Sequence, residues 1–154
     1  SSKSTMIQVR EAKPGNEQDM LLVIRELAVY EKEPDAVENT EEEIRAHLFE
    51  ESICHALVAE LQNEIIGFAL YYTSYSTWKG KCVYLEDLYV KESYRNMGAG
   101  TILFEHVISV AKSVKARRLD WQVYDWNKPA IDFYKKHNAS IDGQWLNGRL
   151  EFDK

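Results

Sequence analysis

The sequence predicts a mixed α/β (α+β) fold in which antiparallel hairpins are combined with one parallel crossover. Three observations carry this expectation. Two apolar runs, 53–61 and 65–74, are separated only by Gln62-Asn63-Glu64, which reads as a hairpin. A strand from Cys82 to Val90 is followed by a long apolar-periodic helix and an alternating strand, Arg118 to Tyr124, forming a strand–helix–strand unit. The resulting order, β-αα-β-β-β-α-β-α-β, is not the regular alternation of a doubly wound sheet.

Each element has a local cause. Met6 to Arg10 alternates apolar and polar residues, as a short strand does, and Pro14-Gly15-Asn16 breaks it. Asn16 to Lys32 reads as a helix, with Met20, Leu21, Ile24, Leu27 and Ala28 on one stripe and Pro34 beyond its end. Thr40 before Glu41, Glu42 and Glu43 is a capping box that opens a second helix to about Phe49. After the hairpin, Ser76 to Lys81 is a polar connection containing Trp78 and Gly80. Gly98 to Val114 is the long helix, with Ile102, Leu103, Val107, Val110 and Ala111 on its inner face. Asn127 caps a helix that has Pro129 just inside its start, and Asn138 is placed for a left-handed cap at its end. Trp145 to Phe152 reads as a last strand or hairpin around Asn147-Gly148.

The chain of 154 residues is long enough for one domain with a real core, and 6–154 is expected to form it. Residues 1–5 read as a disordered tail or an expression remnant ahead of Met6. The net charge of -6 argues against a nucleic-acid binder and suits a cationic small substrate. No apolar run approaches membrane-spanning length, and no secretory signal is visible, so a cytoplasmic protein is expected. Cys54 and Cys82 lie in apolar strand-like runs without a CxxC, and are read as reduced, buried thiols. His47, His55, His106 and His137 share no ligand spacing, so no metal is expected.

The most informative stretch is Val83 to Thr101. A strand bearing Glu86 and Asp87 runs into Arg95-Asn96-Met97-Gly98-Ala99-Gly100, which opens a helix. Close glycines at a helix start leave backbone N–H groups and the positive dipole end available to an anion, most often phosphate. Leu103 stands where a third glycine of a dinucleotide fingerprint would be needed, and no Gly-Lys-Ser/Thr follows, which excludes a P-loop. Glu86 and Asp87 are adjacent and are expected on opposite faces, so at most one enters a given cleft.

Arg95-x-x-Gly98-x-Gly100 after Leu88-Tyr89-Val90 resembles the acetyl-coenzyme A signature of the GNAT family of N-acetyltransferases, and Asn127-x-Pro129-Ala130-x-x-Phe133-Tyr134-Lys135 resembles its second signature. Together the two cover roughly a third of the chain, and the element order extends the match to nearly all of it. Arg25-Glu26-Leu27-Ala28-x-Tyr30-Glu31, Gly67 to Tyr72, Trp78-Lys79-Gly80 and Tyr84 to Asp87 are similar to the diamine (spermidine/spermine) acetyltransferase branch. Within it, Tyr75 to Gly80 is closer to the thialysine-acetylating subgroup, and Ser76 stands where polyamine enzymes carry an acid.

The resemblance implies a mostly antiparallel mixed sheet with a splayed parallel strand pair and helices on both faces. It implies acetyl-CoA as co-substrate, with amides of Asn96, Met97, Gly98, Ala99, Gly100 and Thr101 around the pyrophosphate and Arg95 nearby. Asn96 stands where relatives often have glycine, and asparagine tolerates a left-handed backbone. Leu88, Tyr89 and Val90 would pair with the pantetheine arm and offer an amide to the thioester carbonyl, an oxyanion-hole device. Asn127, Pro129 and Ala130 would also border the coenzyme.

Glu86 is assigned by resemblance as the base for the amine, through water, and Asp87 as structural. An amine with a pKa of about 10 must lose a proton before attack. Tyr134 is assigned as the acid that protonates the departing thiolate. Tyr30, Glu31, Ser76, Trp78 and Glu86 would contact the acceptor, a carboxylate beside an aromatic face being suited to a cation. The expected reaction is transfer of acetyl to a small primary amine in a ternary complex, by a homodimer. Polyamine or peptide acetylation and a non-catalytic coenzyme-binding module remain as alternatives.

Overall fold

The computed structural model describes residues 6–153, so the expectation for residues 1–5 lies outside the described residues. The chain divides into two compact units, Ser1–Trp121 and Gln122–Lys154.

The first unit is a five-stranded sheet in chain order: β1 (Gln8–Glu11), β2 (His55–Leu61), β3 (Glu64–Ser76), β4 (Gly80–Val90) and β5 (Leu119–Asp120). The first four pair antiparallel, and β4 pairs with β5 in parallel. Gln62 and Asn63 close the β2–β3 hairpin with both backbones in the left-handed region, φ 50 and 65. That geometry matches the twist of the flanking strands. Gly67 lets β3 approach β4 closely, since a Cβ there would meet the Tyr89 carbonyl oxygen at 2.8 Å.

Helices cover both faces of this sheet. Helix α1 (Glu17–Tyr30) and α2 (Glu41–Arg45), the latter continuing into a π-helical turn at Ala46–Glu50, lie on one side. Met20, Val23, Leu27, Ile44 and Leu48 there pack with Val58, Phe68 and Tyr89. The expected cap holds: Thr40 Oγ1 accepts from the Glu43 amide at 3.2 Å. At the start of α1, the buried Glu17 accepts from the Gly15 amide at 2.9 Å. Helix α3 (Ala99–Ser113) packs on the other face through Ala99, Leu103, Phe104, Val107 and Ala111. Phe104, absent from the expected stripe, is fully buried and meets Trp121 edge-on at 5.4 Å.

The parallel pair is short. Its ladder consists of Val83 opposite Leu119 and Tyr84 opposite Asp120, so among the described strands Leu85 to Val90 pair with β3 alone. The strand expected over 118–124 therefore contracts to two residues. This is the splayed pair that the resemblance implies.

The second unit holds α4 (Lys128–Lys136), capped by Asn127, whose Oδ1 accepts from the Ala130 amide at 3.3 Å. Asn138 ends it at φ 64, as expected. The last strand expected over Trp145 to Phe152 is not formed. Alternation marks a segment able to pair, but a strand exists only where a partner supplies the ladder. Among the described residues Trp145, Leu146, Leu150 and Phe152 have no such ladder and are more than four-fifths exposed, at 88%, 95%, 83% and 87%.

Candidate active site

The glycine turn follows the end of β4. Val90 leads into a short 3-10 turn, Glu92–Tyr94, which is tied down from three directions. Lys91 Nζ and Tyr94 Oη both reach the Glu64 carboxylate, at 3.3 and 3.0 Å, and the Glu92 amide donates to Glu26 Oε1 at 3.4 Å. The Lys91 amide donates to the Ile66 carbonyl at 2.8 Å. Asn96 then takes φ 66 and Gly98 φ 88. A Cβ at Gly98 would meet nothing within 4 Å, so the glycine serves its backbone angle and leaves the approach open. Gly98 at the N-cap has no side chain to cap α3, so it offers no side-chain acceptor to the first-turn amides of Ala99, Gly100 and Thr101. Asn96, Met97 and Gly98 are exposed, as is Thr101. These features fit a pyrophosphate: uncapped amides, a dipole end and an unobstructed glycine.

Arg95 is placed differently from a simple phosphate ligand. Its guanidinium lies over the rings of Tyr30 and Tyr89, 4.9 and 5.1 Å from their centroids, and its Nε donates to the Val90 carbonyl at 3.2 Å. Tyr89 in turn donates its hydroxyl to Glu26 Oε1 at 3.3 Å. Burial, with Glu26 adding to it and Arg95 opposing, pushes the Tyr89 hydroxyl up to about 12. Of the other splayed-strand residues, Leu88 and Val90 are half-buried.

The acids are arranged by a β-bulge that the sequence pattern did not reveal. Leu70 faces Asp87, whereas the next residue, Tyr71, faces Leu85, so Glu86 is the extra residue. Leu70 and Tyr71 point to opposite faces, and so must Asp87 and Leu85. Asp87 therefore joins the α1 face, the face of Leu70 and Tyr72. Glu86 reaches the same side, accepting from Tyr72 Oη at 3.2 Å. The expectation that Glu86 and Asp87 face opposite ways is thus corrected: the bulge breaks the two-residue alternation on which it rested.

Glu31, capping the end of α1, completes an acidic group with them. Burial raises Asp87 to about 7, with Glu86 and then Glu31 adding to the effect. Burial and the Glu86 charge also raise Glu31 above its ordinary range. Among the described residues, no three His, Cys, Asp or Glu side chains are placed to hold a metal ion. What the acids can do is receive a cation, with the Tyr30 ring at the adjoining helix end.

The other acceptor candidates lie apart. Ser76 is four residues along β3 from Tyr72, about 13 Å at strand rise. Its Oγ accepts from the Trp78 and Lys79 amides, at 3.2 and 3.1 Å, and so shapes the β3–β4 loop. Trp78 at the tip of that loop is 94% exposed. In the second unit, Asn127 and Tyr134 are buried, Pro129 is exposed and Ala130 half-buried. Tyr134 meets Phe133 edge-on at 5.3 Å. Sequence reasoning missed Tyr72 and Glu26 and set Asp87 aside. Their roles depend on strand register and on helix-to-strand contact, which leave no local sequence signal.

A glycine turn at a helix start, a strand freed of its parallel neighbour and a group of acids beside it together fit a transferase for a phosphate-bearing carrier and an amine. The chain belongs to the acetyltransferase (GNAT) family, whose model matches residues 21–139. It is similar to the thialysine N-epsilon-acetyltransferase of Bos taurus, 45% identical over 86% of this chain and 84% of that one. The enzyme of the same name from Caenorhabditis elegans is 36% identical over 90% and 88%. Among solved structures, an integron cassette protein from the mobile metagenome of V. cholerae matches with a TM-score of 0.77 and 25% identity, over 96% of this chain and 93% of that one. The activity is that of the family, transfer of acetyl from acetyl-CoA to an amine nitrogen. No helix among the described residues is long and apolar enough to cross a membrane.

Proposed function

We propose that this enzyme acetylates the primary amine of a small lysine-like molecule or diamine of the thialysine type. The observation that carries the reading is the uneven distribution of charge along the α1 face. Glu31, Glu86 and Asp87 gather at one point, and Ser76, about 13 Å along the strand, supplies no charge for a second, distant cation. A polyamine with cations along its length would leave its far end without a partner there.

Bound acetyl-CoA supplies the acetyl group as a thioester. The amides of the glycine turn hold its pyrophosphate, and an amide among Leu88, Tyr89 and Val90 polarises the thioester carbonyl. Asn127, Pro129 and Ala130 border the coenzyme arm. Glu86 takes the ammonium proton, through water, and frees the nitrogen lone pair for direct attack. Tyr30 and Glu31 contact the acceptor, and Trp78, at the exposed loop tip, is too far from the acids to touch a small one. Tyr134 gives a proton to the departing thiolate, whose ordinary pKa of about 8.5 makes this helpful at neutral pH. No acyl-enzyme forms: Cys82 is buried, and burial raises the Cys54 thiol, the reverse of what an activated nucleophile needs. Residues 6–154 are read as a single N-acetyltransferase domain of a cytoplasmic homodimer, a reading supported by family likeness.

A thiol-release assay with acetyl-CoA tests this against thialysine, lysine, putrescine, spermidine, spermine and a histone-tail peptide. Thialysine, lysine or putrescine leading the panel is the expected result. Spermine far ahead of thialysine would overturn the charge argument, and a preferred peptide would overturn the small-molecule reading. Tight coenzyme binding with no turnover of any amine would mark a binding module.

A further inference from the structure

We propose that Tyr72 is a positioning residue for Glu86, its hydroxyl holding the carboxylate of the bulge residue in place. This rests on the reading of Glu86 as the base.

As the extra residue of the bulge, Glu86 has no cross-strand neighbour of its own in the ladder. Its side chain is exposed, and acids crowd it: Glu31 from the end of α1 and Asp87 from β4. Repulsion from these would swing an untethered carboxylate out into solvent. Tyr72 opposes that with a hydrogen bond of 3.2 Å from the adjacent strand. A donor to the charged form of an acid stabilises that form.

Packing accounts for the Tyr72 ring but not for its hydroxyl. The ring lies 5.4 Å from that of Tyr84, its partner across the ladder, and phenylalanine would make the same contact. Burial first, and the Glu86 charge second, push the Tyr72 hydroxyl up to about 12, so it remains a donor throughout the working range. Tyr84 is raised by burial, then by the charges of Glu86, Asp120 and Asp87. Among the described residues, Glu31, Asp87, Tyr84 and Tyr72 all feel the Glu86 charge, and Tyr72 donates to it.

The test is Tyr72→Phe with two readouts. The Glu86 carboxyl is titrated by carbon NMR without substrates, its signal assigned through Glu86→Gln. Its midpoint should rise by about half to one pH unit when the donor is removed. The acidic limb of kcat/KM for the amine should move up by the same amount, with the KM for acetyl-CoA unchanged. An unchanged Glu86 titration in the folded variant overturns the inference and leaves the function of Glu86 untouched. A shifted titration with an unmoved pH–rate profile instead overturns Glu86 as base, and with it the service of Tyr72 to turnover. As a second check, Tyr72→Phe in the Glu86→Gln background should lower amine kcat/KM no further. A full additional loss there overturns the inference.

Discussion

The guanidinium of Arg95 lies over the ring of Tyr30, 4.9 Å from its centroid, and so joins the glycine turn to the end of α1. The same side chain holds the Val90 carbonyl. One residue thus braces the expected coenzyme side and the expected amine side. Arg95→Lys keeps the charge and loses the planar stack. We expect the Michaelis constants for acetyl-CoA and for the amine to rise together, by about tenfold for a loss near 1.4 kcal/mol. Initial rates with each substrate varied in turn check this, and a rise in only one constant would contradict the brace.

Gly67→Ala should distort the splayed strand from behind. The new Cβ would stand 2.8 Å from the Tyr89 carbonyl oxygen and 3.2 Å from Val90 Cγ2. Backbone must move, at a cost of about 1–3 kcal/mol, typical of overpacking. Thermal unfolding should show a fall of several degrees, and acetyl-CoA should bind more weakly because Leu88 to Val90 shift. An unaltered melting temperature would mean that the two strands separate freely.

Asp87 makes stability depend on pH. Burial, then Glu86 and Glu31, raise it from 3.8 to about 7 in the folded chain. The folded state keeps this proton to higher pH than the unfolded state does. The group's contribution is therefore complete below its ordinary value and is lost as pH rises through 7. Asp87→Asn abolishes that loss. At about 1.4 kcal/mol per pKa unit, the variant should gain on the native protein by on the order of a few kcal/mol between pH 5 and pH 8. Denaturant melts at the two pH values measure the difference, and parallel curves would refute it.

Tyr134→Phe should fold normally, since the ring is buried and keeps its edge-on contact with Phe133. Turnover should fall about a hundredfold or more if the hydroxyl is the acid. Full turnover in the folded variant would remove Tyr134 from the chemistry.

Local features of this fold could be read from the sequence because their causes are local. Gln62-Asn63 forces its hairpin, and Thr40 and Asn127 cap the helices they precede. The glycine turn was legible for the same reason. What required the folded chain was anything set by register. The acids appeared to face apart because strict alternation was assumed, and one inserted residue at Glu86 reverses that. Arg95 could not be placed over Tyr30 from sequence, being 65 residues away, a separation that follows from the residue numbers. The strand expected at Trp145 to Phe152 failed because alternation reports a capacity for pairing, and pairing depends on a partner.

The order of the five strands also bears on how the molecule assembles. Strands β2, β3 and β4 are joined by tight turns, so their ladders close with little loss of chain entropy. The β4–β5 pair must wait for α3 to form and cross over, and it gains only two residue pairs when it does. The β2–β4 meander is therefore expected to form early, with the parallel edge completed last. Native-state hydrogen exchange should then find the slowest amides in β3 and early opening at Leu119 and Asp120. A parallel edge that opens readily at Val83 and Tyr84 would let β4 breathe along one side while its ladder with β3 stays closed.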